Sequence, residues 1–201
     1  MNYLSKKLRK SKMNHEAAND KTQLGFWLYL MTDLLSFTIL FATYIVLSPN
    51  TAGGPSGREL FELPFVLIET MILLISSFTA GLALLALRKN EAKQVLFWFG
   101  ITFLLGISFL SLEMSEFSKL IAEGASWQRS AFLSAFFALV GTHGLHIAVG
   151  LLWMLVSMIL VGKKGLNTFI NSKLIRLILF WHFLDIVWIF IFTIVYLMAH
   201  S

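Results

Sequence analysis

The sequence predicts an all-α, polytopic membrane protein: a bundle of five transmembrane helices with the N-terminus cytoplasmic and the C-terminus outside. Three observations predict it. The 201 residues are 57% hydrophobic and only 13% charged, with a mean hydropathy of +0.76, whereas a soluble domain carries about 25% charged residues. The apolar residues fall in five long blocks, each able to cross a hydrocarbon core of about 30 Å as a helix. None shows the alternating segments of about ten residues that mark a membrane β-barrel. Finally, the basic residues gather on one side of the alternating loops. Lys6, Lys7, Arg9, Lys10, Lys12 and Lys21 precede the first block, Arg88, Lys89 and Lys93 follow the second, and Lys163, Lys164, Lys173 and Arg176 surround the junction of the last two. The other side holds only Arg58, Lys119 and Arg129, and the excess of positive charge marks the cytoplasmic face.

The same composition restricts function. The formal charge of +5 is accounted for by this topology, and no nucleic-acid partner is inferred from it. The chain has no cysteine, so it cannot build a disulfide, an iron–sulfur cluster or a thiolate-ligated metal site from its own residues.

In chain order, residues 1–23 are polar and basic. They lack an apolar core with a small-residue cleavage site and are read as a mobile cytoplasmic tail, not a signal peptide, with His15 solvated. The transmembrane domain is placed at 24–199. Its first span, about 24–47, contains one charge, Asp33. The loop SPNTAGGPSGRE follows, rich in breakers. The second span, about 60–87, has Glu62 near its start, Pro64 in its first turn, where a missing N–H is harmless, and Glu69 deeper in. After the short linker RKNEAK comes the third span, about 94–112, with Glu113, Glu116, Lys119 and Glu123 taken to mark its exit. The fourth span, about 130–161, has no Asp, Glu, Lys or Arg between Ser130 and Val161, yet carries His143 and His146 near its midpoint. Ser130, Ser134, Ala138 and Thr142 recur at four-residue spacing there, with Gly141 and Gly144 alongside, and small residues at that period let helices approach closely in lipid. The linker GKKGLNTFINSK leads to the fifth span, about 174–199, which is aromatic throughout and carries Trp181, His182, Asp185 and Trp188 at helical spacing.

With this orientation the buried polar groups fall at definite depths from the cytoplasmic end. Asp33 and His182 lie roughly 13 Å in, Asp185 about 18 Å and His146 about 22 Å, while Glu69, Glu113 and His143 come near 27–28 Å. Two polar layers result, each mixing carboxyls with imidazole. Asp33 is expected to pair with His182 or His146, and Glu69 and Glu113 to share a site with His143 or water. A buried carboxyl without such a partner is expected to carry its proton. Two readings of these residues stand side by side: groups in a proton or ion path, or neutral hydrogen-bonded groups that hold helices together. For His143 and His146, metal ligation is chemically open but would need further ligands at matched depth; structural hydrogen bonding is the simpler reading.

The segments GFWLYLMTDLLSFTILFATY, TAGGPSG, FELPFVLIET, SAFFALVGTHGLH and FWHFLDIVWIFIFTIVYLM resemble subunit III of the haem–copper terminal oxidases across all five spans. FELPFVLIET and the five-helix length most resemble the ubiquinol-oxidising, cytochrome o-type branch. The resemblance implies a non-catalytic core subunit III of a proton-pumping quinol:oxygen oxidoreductase. Such a protein is multi-pass in the bacterial cytoplasmic (inner) membrane and belongs to the electron transport of aerobic respiration. It implies that this chain holds no catalytic, cofactor or metal site, and that the haems and copper lie in subunit I. The implied partners are subunit I directly, subunits II and IV in the same complex, and membrane lipids. Asp33 matches the family's embedded carboxylate, a position the family links to stable proton uptake and lipid contact. Asp33 is therefore the first candidate for a supporting role, ahead of Glu69, Glu113, His143, His146, His182 and Asp185. The competing functions are a self-sufficient haem b protein ligated by His146 and His182, and a small proton or ion transporter using Asp33, Glu69 and Glu113.

Overall fold

The computed structural model describes residues 3–53, 57–60 and 63–200, with side chains described from residue 21 onward except at 58, 59 and 200. The expectations for the side chains of His15 and Glu62 therefore lie outside the described residues. Every described element is helical. Helix α1 runs Tyr3–Leu47, α2 is the short turn Gly57–Leu60, α3 is Leu63–Arg88, α4 is Ala92–Ala122, α5 is Ala131–Lys164 and α6 is Thr168–Ile191. The chain ends in a π-helix, Phe192–Leu197, and a 3₁₀ turn, Met198–His200. Five stretches are long and apolar enough to cross a membrane: Lys21–Leu47, Leu63–Arg88, Ala92–Ala122, Ala131–Lys164 and Thr168–Leu197.

The ends of these helices follow from local chemistry. Ser130 caps α5 by accepting from the Leu133 N–H at 3.2 Å, and Asn167 caps α6 by accepting from the Ile170 N–H at 2.9 Å. The Asn167 cap is why α6 starts well before Leu174. At the other end of α4, Gly124 takes φ +79°, and the Gly124 and Ala125 N–H groups close onto Ile121 and Leu120 carbonyls. That closure lies beyond Ala122, so α4 continues past Leu112 and keeps Glu113, Glu116 and Lys119 on the helix. Charged residues at i, i+3 do not stop a helix when one face is enclosed, and Glu113 is fully buried. Between α3 and α4 only Lys89, Asn90 and Glu91 remain, with Asn90 in the left-handed region at φ 58°.

The chain divides into two compact units, Met1–Leu35 and Ser36–Ser201, with the boundary inside α1. In the first, Tyr29 and Asp33 lie four residues apart on one helix face and interact electrostatically. Asp33 is half-buried. In the second, α3 packs on α4 and α6, and α5 packs on α4 and α6, so the four long helices close a ring. Its interior is filled by Leu73, Phe99, Phe109, Phe136, Leu139, Trp181 and Trp188, all at most 1% exposed. Its outer surface carries Phe78, Leu104, Leu145 and Leu152, each more than 60% exposed. Apolar groups facing lipid give helices no hydrophobic reason to associate, so association rests on close packing and on the polar contacts inside. Gly106 shows how close: a methyl there would meet Leu151 Cδ2 and the Trp181 ring at 2.8 Å.

Candidate functional site

Two polar layers cross the four-helix ring. One surrounds Trp181. Its indole N–H donates to Ser76 Oγ at 3.1 Å, Thr79 and Thr102 join α3 to α4 through their hydroxyls at 2.8 Å, and Ser77 Oγ lies 2.6 Å from His182 Nδ1. Asp185 is buried beside this layer; Ser77 also interacts with its carboxyl, but in a looser arrangement that completes no hydrogen bond. Three of these hydroxyls also have an acceptor on their own helix: Ser76 donates to Leu73 O, and Thr79 and Thr102 lie within reach of Ser76 O and Trp98 O, so that one threonine donates to its own carbonyl while the other donates across the pair.

The second layer surrounds Trp188, whose indole N–H donates to Thr70 Oγ1 at 3.0 Å. Here the acids collect. Glu69 on α3 and Glu113 on α4 are fully buried, and Glu116, one turn beyond Glu113, is 8% exposed. The three interact electrostatically with one another. The π-helix turns Tyr196 inward, where its buried O–H donates to Glu116 Oε2 at 3.1 Å, an instance of π geometry re-aiming a side chain next to a polar site. Gly144 of α5 lies against the Glu113 carboxyl so closely that an added methyl would come within 2.8 Å of Oε1. None of the four carboxyl oxygens of Glu69 and Glu113 meets a hydrogen-bond donor.

His143 behaves differently from the expectation. His143 makes no hydrogen bond to Glu69 or Glu113, and both ring nitrogens lack a partner. Its ring is stacked on Trp188 at 5.3 Å, with Phe109 and Phe37 edge-on at 6.1 and 6.4 Å. Aromatic packing has taken the place of the expected bond. His146 Nδ1 is 2.7 Å from the Thr142 carbonyl of its own helix, and its ring sits 5.3 Å from Phe37. His182 is committed to Ser77 through Nδ1. Within the second unit, the candidates brought together are Glu69 with Glu113, and His182 with the neighbourhood of Asp185.

Sequence reasoning passed over Glu116, Tyr196 and the Ser76–Trp181 and Thr70–Trp188 bonds. The i, i+3 spacing of Glu113 and Glu116 was a usable signal. The reach of Tyr196 was not, because an α-helical count does not follow a π-helix.

A haem would need a planar slot beside an available imidazole nitrogen. His143, enclosed by three aromatic rings, offers no such slot. Among the described residues no group of three or more His, Asp or Glu is arranged to hold a metal ion.

The chain matches the protein family described as cytochrome c oxidase subunit III over residues 9–200. It is similar to the cytochrome bo(3) ubiquinol oxidase subunit 3 of Pseudomonas aeruginosa, 57% identical over 92% of this chain and 90% of that relative. It is similar also to the cytochrome c oxidase subunit 3 of Bacillus sp. (strain PS3), at 51% identity over 88% and 85% of the two chains. A quinol oxidase subunit 3 of Bacillus subtilis is 49% identical over 88% of this chain and 86% of its own length.

Proposed function

The chain belongs to the cytochrome c oxidase subunit III family, as an o-type subunit III of the haem–copper oxidases, and on that premise we propose that it is the bracing subunit of a respiratory ubiquinol oxidase and has no redox centre of its own. The observation that carries the bracing reading is the match of the membrane domain to subunit 3 relatives, together with a ring interior filled by packed aromatic and aliphatic side chains. In this reading quinol oxidation, oxygen reduction and proton pumping belong to subunit I, which holds the haems and copper. This chain stabilises subunit I by surface complementarity, alongside subunits II and IV in a bacterial inner membrane. The apolar outer face of the helices supports such contacts with protein and lipid alike. The N-terminus is cytoplasmic and the C-terminus outside, supported by the distribution of lysine and arginine. A reporter fused after Ser201 and active only outside the cytoplasm would confirm that orientation.

Asp33 is proposed as the residue that supports proton delivery to subunit I. Asp33→Asn is expected to leave assembly intact and to shorten only the endurance of the oxidase during turnover. The bracing role is tested by tagging this chain and purifying it from membranes in mild detergent. A haem-bearing large subunit should come with it in fixed ratio; recovery of the chain without any such partner would refute the assignment. The relatives' names support this reading over a separate haem b protein or a transporter.

A further inference from the structure

The bracing role makes no use of the acids around Tyr196. Glu69 comes from α3 and Glu113 and Glu116 from α4, all three in one another's field. The groups that face them can be named element by element. From α4 there is also Lys119, from α5 the backbone at Gly144 with His143 beside it, from α6 the Trp188 indole, already bonded to Thr70, and from the π-helix the Tyr196 hydroxyl. The Tyr196 hydroxyl donates to Glu116. Glu69 and Glu113 remain fully buried with every carboxyl oxygen unanswered. Neighbouring carboxyls in a low-dielectric interior cannot all be ionised together, and they share their protons as a group.

A second, independent feature shows how protons could reach them. A cavity of about 130 Å³, lined by Leu60, Phe65, Ser115, Glu116, Lys119 and Leu120, opens at the C-terminal end of α4. A single water needs only about 10–15 Å³ on such a measure, so several fit. Glu116 forms part of the cavity wall, while Glu69 and Glu113 do not line it and lie within electrostatic range of Glu116. We propose that Glu69, Glu113, Glu116 and Tyr196 form a proton-exchanging site inside the bundle, loaded through this cavity. A hydronium ion in the cavity gives its proton to a Glu116 carboxylate oxygen and leaves as water. A water from the cavity then bridges the acids: it takes that proton from Glu116 as it gives one of its own to a carboxylate oxygen of Glu69 or Glu113, with no electron moved. Tyr196 keeps its own proton and fixes Glu116 through its hydrogen bond to Oε2.

The test is attenuated-total-reflection infrared spectroscopy on the oxidase complex in native membranes, with pH stepped in H₂O and D₂O buffers. The expected result is a protonated-carboxyl C=O band whose amplitude follows pH and whose position shifts in D₂O. Glu69→Gln and Glu113→Gln should each remove part of that band. Ser115→Phe, which narrows the cavity, should leave the amplitude and slow the D₂O shift several-fold. The proposal is overturned if the band is indifferent to pH, if it tracks sodium at constant pH, or if both glutamine variants leave it intact. Should Glu113→Gln fail to accumulate, Glu69→Gln and Ser115→Phe decide the matter. Because the band is assigned by variants in this chain, its failure leaves the bracing role standing, which co-purification tests separately.

Discussion

The two polar layers of the four-helix ring are built from different chemistry. Around Trp181 the polar atoms are mostly hydroxyls, and they close on one another across helices and on carbonyls of their own helices. Around Trp188 the polar atoms are mostly carboxyls, and four carboxyl oxygens and two imidazole nitrogens find no partner. A serine or threonine in a membrane helix has a fallback acceptor three or four residues back, so it serves as glue that is cheap to keep. A glutamate has no such fallback and remains costly unless it has work to do. We therefore read the first layer as structural and the second as the place where protons are handled.

The comparison is broken most severely by overfilling the structural layer. Gly106→Leu would drive side-chain atoms into Leu151 and the rigid Trp181 indole, already 2.8 Å from a hypothetical methyl, and should cost about 3 kcal/mol. The readout is loss of the complex in a thermal or denaturant titration. Trp188→Phe should follow at about 2 kcal/mol, since it leaves Thr70 without its donor and thins the packing on His143. Gly144→Ala should cost only about 1 kcal/mol, because the obstructing atoms are the end of the Glu113 side chain and can shift. Thr102→Val should cost roughly 0.6 kcal/mol, the typical worth of one interhelical bond in a membrane, as Thr79 retains its bond to the Ser76 carbonyl. Glu69→Met is expected to reverse the sign and hold or raise stability, because an apolar group of similar shape replaces an unanswered acid. A large loss with Glu69→Met would show that the acid layer is glue after all.

The sequence made the helix count and the buried acids easy to read. Long uncharged runs such as Ser130–Val161 have no alternative to a spanning helix, and Glu69 and Glu113 stand out inside apolar blocks. Less legible were the ends. Charged residues after Leu112 suggested an exit, whereas the helix continues to Ala122 because the Gly124 turn, not the charge, closes it. Partners were harder still. His143 lies beside Gly144, which contacts Glu113, yet packs on aromatic rings, since spacing along one helix fixes a depth but not a side-chain direction. The hydroxyl layer was invisible for another reason: Ser76, Thr79 and Thr102 are ordinary residues in an apolar helix until three helices are brought together.

The most direct test of the account is the optical spectrum of this chain expressed and purified without the other oxidase subunits in a haem-replete host. The account predicts no Soret absorbance attributable to the chain and no oxygen consumption with quinol. A Soret band stoichiometric with the chain, lost in His146→Ala or His182→Ala, would contradict it.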